Sequence, residues 1–170
     1  MFKLLLKTFY YQKINYEVNY PKEKLVERID SLFSDKSGLF QSPNLIGEFI
    51  NFPNSFSLVP KRSLAVIRNF ERSAAYLKGT IVETVNGKTK IEILLRPNSI
   101  FGMFFLFFVP FSMYNVCIYF STAGTPNNLY VGLFILIVAL PLQFVLARVM
   151  ANGLRKNFEK YFSAHRMEGE

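Results

Sequence analysis

One cysteine and one histidine in 170 residues restrict the chemistry open to this chain. Cys117 has no second thiol for a disulfide and no metal-ligating neighbours at useful spacing. His165 lies in a polar tail, so neither a serine nor a cysteine nucleophile has a credible base. A zinc site of the usual Cys and His kind is excluded on numbers alone. Glu17, Glu48, Glu83 and Glu92 alternate with apolar residues and read as the outward sides of strands. No phosphate-binding glycine loop, His-Glu-x-x-His pair or Gly-x-Ser-x-Gly elbow occurs. The expectation is a protein that is not an enzyme, with no catalytic residue, cofactor or metal. What remains is a run of cations, Lys61, Arg62, Arg68, Arg72 and Lys78, opposed over that span by Glu71 alone. Such a run is either a solvated loop or a contact for anionic lipid headgroups. It can serve the second purpose only if the chain holds it near a bilayer.

The stretch from Pro97 to Ala147 supplies that bilayer. It contains no Asp, Glu, Lys, Arg or His. The polar segment Ser121 to Asn128 divides it into apolar runs at about 100–120 and 129–147. Each has roughly twenty residues, which at ~1.5 Å per residue spans a ~30 Å hydrocarbon core. A chain this short cannot cover two charge-free helices on all sides, so a transmembrane hairpin is expected. Lys88, Lys90 and Arg96 precede it, Arg148, Arg155, Lys156, Lys160 and Arg166 follow it, and the connecting loop has no basic residue. By the positive-inside rule both termini are cytoplasmic, in a multi-pass protein of the cell (inner or plasma) membrane. Pro110 and Pro141 predict kinks within the spans. Asn115 and Gln143 are the candidates for hydrogen bonds between helices, within or between chains.

The net charge of +8 falls about +6 before the hairpin and +2 after it. Juxtamembrane basic residues account for it, and no nucleic-acid partner is expected. The first ten residues carry too short an apolar core, Leu4-Leu5-Leu6, for a signal peptide. Lys13 to Tyr20 alternates strictly and predicts a half-buried strand with Ile14, Tyr16, Val18 and Tyr20 inward. Pro21 opens a helix whose Leu25, Ile29, Leu32 and Phe33 form one stripe. Strands follow at 46–52 and 55–59, and a further one at 63–69. Val85-Asn86-Gly87-Lys88 predicts a type I′ hairpin, with Glu83 opposite Lys90 and Val82 opposite Ile91. Its inward face would carry Thr80, Val82, Thr84, Thr89, Ile91, Ile93 and Leu95. Pro97 ends the last strand, and the first span begins almost without a linker. Past Ala147 the helix should continue beyond Arg148; Leu154, Phe158, Tyr161 and Phe162 then suit a short helix lying on the membrane surface, with Gly153 a possible break, and the last four residues should fray.

The expected architecture is therefore α+β. A small antiparallel sheet with one packed helix fills residues 1–96, the hairpin 97–150 and a basic cytoplasmic tail 151–170. The hairpin Lys78-Gly79-Thr80 through Gly87-Lys88-Thr89-Lys90-Ile91, with Leu95-Arg96-Pro97-Asn98 entering an aromatic-rich span, resembles a loose group of small bacterial membrane proteins. In these a compact α+β segment precedes two spans. The resemblance implies that architecture and brings no activity, cofactor or site. Two functions fit. One is a membrane-anchored interaction or regulatory module that binds a partner protein or anionic lipid. The other is a small subunit of a transport or channel assembly, which would need an oligomer or a larger partner, because two spans cannot enclose a pore.

Overall fold

The computed structural model describes residues 12–34, 44–61, 73, 75–85, 87–121 and 124–167. Six strands form one antiparallel sheet: β1 (Gln12–Val18), β2 (Ile46–Asn51), β3 (Ser55–Val59), β4 (Ala75–Val85), β5 (Lys88–Pro97) and β6 (His165–Arg166). Their order is β2-β3-β4-β5-β1-β6. Helix α1 (Lys22–Ser34) follows β1, and α2 (Ser99–Phe120) follows β5. The last helical rod is α3 (Pro126–Phe134), a wide π turn (Ile135–Ala139) and α4 (Leu140–Phe162), continuous over 37 residues.

β1 buries Ile14, Tyr16 and Val18, as its alternation predicts, and α1 buries Leu25, Ile29 and Leu32. The 63–69 strand lies outside the described residues. The β4–β5 hairpin corrects the expected register in one place. Glu83 does pair with Lys90, but Ile81, not Val82, pairs with Ile91. A bulge between Ile81 and Glu83 ejects Val82, leaving it 61% exposed. One extra residue reverses the parity of everything upstream. Ala75, Leu77 and Ile81 therefore face the core with Thr89, Ile91, Ile93 and Leu95, while Thr80 is exposed. Gly87 turns the hairpin at φ +75°, a backbone position that glycine adopts without strain.

The larger correction concerns the C-terminus. α4 continues past Arg148 as expected, but it does not break at Gly153, and no separate surface helix follows. Its second half lies on the sheet, where Ala151, Leu154, Phe158 and Phe162 are part of the hydrophobic core. Their 3–4-residue spacing makes the stripe. A stripe alone cannot distinguish a bilayer surface from a protein core, and here the sheet lies opposite, chiefly β4 and β5. The Phe158 ring centroid is 5.5 Å from that of Tyr16, 6.5 Å from Phe56 and 5.0 Å from Phe162. The helix ends at Ser163 in the left-handed region, φ 47°. The chain then adds β6 to the sheet edge, pairing Arg166 with Tyr16 and His165 with Glu17. The Met167 amide still donates to Asn15 O at 3.0 Å.

α2 and the α3–α4 rod are long and apolar enough to cross a membrane. They pack side by side through small contacts. Ser112 Oγ donates to Gly132 O at 2.6 Å, and Gln143 Nε2 to Phe101 O at 2.7 Å. A Cβ on Gly132 would come within 2.7 Å of Val116 Cγ2. Gln143 thus makes the interhelical bond expected of it. Within the chain Asn115 bonds locally instead, its Nδ2 donating to Phe111 O one turn back in its own helix. α2 runs unbroken across Pro110. At Pro141 the helix accommodates the ring by widening beforehand, with Leu140 N–H bonding Ile135 O, five residues back.

Candidate functional site: the rim beside the apolar helices and the α4 joint

The strand directions define two ends of the sheet. β5 runs into α2 through Asn98 alone, so the end holding Arg96 and Pro97 adjoins the apolar helices. Antiparallel pairing brings Gln12 of β1 and Ala75 of β4 to that same end. It also brings the end of β3, at Val59, and the start of β2, at Ile46. Lys61, two residues past β3, is therefore on this rim, as is Arg96; Arg148 stands within α4 between the apolar segment and Ala151, the first residue of that helix in the sheet's core.

The rim is braced by polar contacts. Asn98 Nδ2 donates to Ser73 O at 2.7 Å and reaches Tyr76 Oη at 3.3 Å. The Arg96 guanidinium carbon lies 5.5 Å from the Tyr76 ring centre, a cation–π contact. Of the five cations singled out in the sequence, Lys61 is on the rim. Lys78 is exposed in β4 opposite Ser57 and Leu94, farther along the sheet. Arg62, Arg68 and Arg72 lie outside the described residues. Sequence reasoning missed Arg96 and Arg148 as members of the same rim. The available signal was their position, immediately before and after the charge-free stretch.

The joint between sheet and α4 carries the most perturbed groups. Tyr16, fully buried in β1, donates its hydroxyl to Glu159 Oε1 at 2.6 Å. Burial pushes its pKa up strongly, and the neighbouring Glu159 carboxylate adds to that. Arg155 Nε lies 3.6 Å from the same carboxylate oxygen. Tyr20 donates to Phe162 O at 2.6 Å, and its pKa is also raised, first by burial. Arg28 of α1 sits between the Tyr20 and Tyr161 rings, at 5.6 and 5.4 Å. These contacts consume hydrogen-bonding groups rather than aim them at open space, so the cluster works as a fastening between α1, β1 and α4. Among the described residues no three His, Cys, Asp or Glu side chains gather as a metal site. The outer face carries the exposed pairs Lys13–Glu92 at 2.9 Å and Lys88–Glu17 at 2.6 Å. No protein family, curated protein or solved structure matches this chain.

Proposed function

We propose that this protein is a non-enzymatic module of the cell membrane, anchored by a two-span hairpin, that binds a partner protein or anionic lipid at the cytoplasmic face. One observation carries the reading. Two long helices bury only 6% and 11% of their most apolar windows within the chain. The core helices of a soluble protein would be mostly covered. Here Leu106, Phe107, Tyr114, Ile137 and Val149 are each more than 60% exposed. In water that surface would be severely unfavourable, whereas in hydrocarbon it is the solvated state. The basic residues on either side favour cytoplasmic termini and an outer loop at 121–125. In this placement the rim of Lys61, Arg96 and Arg148 meets the headgroups, where each cation gains about 1 kcal/mol from an anionic leaflet.

The test is fractionation of the expressed full chain, followed by purification in mild detergent with the mass of the complex determined. Resistance to alkaline extraction and a requirement for detergent support the anchor. Release into the soluble fraction refutes it. A strictly monomeric protein with no co-purifying partner would remove the transport-subunit alternative.

A further inference from the structure

Between the first turns of α2 and the start of α4 lies an open-sided cavity of about 260 Å³. Phe101, Phe105, Leu140, Phe144 and Ala147 line it, with Gln143 as its polar side chain. The Gln143 amide nitrogen is already committed to Phe101 O. The volume is about nine times the ~30 Å³ share of one water molecule in the liquid, but a site this apolar does not hold water well. A polypeptide segment would bring backbone groups that these walls cannot satisfy. A hydrocarbon chain needs nothing more than they offer.

The cavity is at one end of the charge-free stretch, and cations stand at that end. Arg148 follows Ala147 directly and lies one helical turn beyond Phe144, so it shares the helix face that lines the cavity. Arg96 comes five residues before Phe101. We propose that the cavity seats one acyl chain of an anionic phospholipid from the cytoplasmic leaflet, with Arg148 at its mouth engaging the phosphate. Arginine suits this role because its planar fork binds phosphate oxygens bidentately. The proposal rests on the membrane reading above and adds to it a place, a lipid class and a selecting residue.

Native mass spectrometry of the full chain, released from bilayer discs containing equal phosphatidylglycerol and phosphatidylcholine, tests it. The wild type should retain one lipid, with about a fivefold preference for phosphatidylglycerol, the ratio expected from a single cation near an anionic headgroup. Arg148→Gln should keep a bound lipid but bring the two classes near parity. Leu140→Trp fills the cavity from α4 and Phe105→Trp from α2, and each should lose the retained lipid of either class. Equal retention by the wild type overturns the proposal, as does an undiminished preference in Arg148→Gln. Retention of lipid by both tryptophan variants also overturns it. A chain that never enters the discs and stays dispersed without detergent overturns the membrane reading itself, so the two failures are distinguishable.

Discussion

Truncating Phe158 to alanine tests whether the second half of α4 belongs to the sheet's core or to a membrane surface. The ring is fully buried and touches three aromatic neighbours, Tyr16, Phe56 and Phe162, at centroid distances of 5.5, 6.5 and 5.0 Å. Removing a buried phenylalanine costs about 3–5 kcal/mol, the sum of lost transfer energy and the cavity left behind. Each well-placed aromatic pair accounts for roughly 0.5–1.5 kcal/mol of such a loss. With Tyr16 and Phe56 held in β-strands that cannot collapse into the gap, the upper half of that range is expected. The assay is hydrogen exchange on the full chain in detergent, read at the amides of β1 and β5, with thermal unfolding by circular dichroism beside it. Protection in both strands should fall by a factor of at least 10², as about 3 kcal/mol requires. Leu142→Ala is the control, since Leu142 is 55% exposed on the apolar part of the same helix and should leave those amides unchanged. A loss below about 1 kcal/mol in Phe158→Ala would mean that the helix end is not packed on the sheet, and the core assignment would fall.

Other consequences can be checked more briefly. Tyr16 and Tyr20 have pKa values raised above the ordinary 10, so the unfolded chain loses these protons first. Their contribution is complete below pH 10 and falls as pH rises beyond it, by up to about 1.4 kcal/mol per pH unit for each group. Tyr16→Phe should flatten that alkaline loss of melting temperature and, by leaving Glu159 without its donor, cost about 1–3 kcal/mol at neutral pH. Gly132→Val places a side chain against Val116 and the Ser112 backbone, and should separate α2 from α3. A spin-label distance between the two helices would lengthen, and an unchanged distance would contradict the close approach. Lys13→Ala removes one partner of an ion pair whose side chains are 60% and 39% exposed, and should change stability by less than about 1 kcal/mol. Ser163→Gly relieves the left-handed backbone at the end of α4 and should raise the melting temperature slightly.

The elements governed by a local period were legible in the sequence. β1, α1 and β5 each place a core-facing residue at every second or every third to fourth position, and the structure keeps those faces. What could not be read locally was any decision taken by a partner element. Val82 carries the strand pattern as well as Ile81 does, and only the bulge determines which of them meets Ile91. Leu154, Phe158 and Phe162 form a stripe that a bilayer surface and a β-sheet would attract equally. The contest goes to the sheet because Tyr16 and Tyr20 also supply hydroxyls to Glu159 and the Phe162 carbonyl. The candidate rim was legible only in part. Lys61 and Lys78 stood out by charge density, whereas Arg96 and Arg148 are isolated in sequence and gathered by topology.

The way the sheet is attached bears directly on what the rim can do. A domain joined to a membrane helix by one flexible linker samples many orientations, and each headgroup contact must then repay the ordering cost. Here two attachments act together. β5 passes into α2 through Asn98 alone, and that residue is fixed to the Ser73 carbonyl. At a second place α4 carries its helix from the apolar segment into the core with no break, fastened by Phe158 and the Tyr16–Glu159 bond. Two such connections on one sheet remove the rotation that a single one would leave. The placing of Lys61, Arg96 and Arg148 beside the apolar helices is therefore established by folding. Contacts made by a preorganised surface keep more of their gross energy. It follows that loosening the second attachment, with the charges untouched, should weaken selective lipid retention. Tyr16→Phe should lower the phosphatidylglycerol preference of the full chain although it alters no cation, and an unaltered preference would show that the rim orders itself independently of α4.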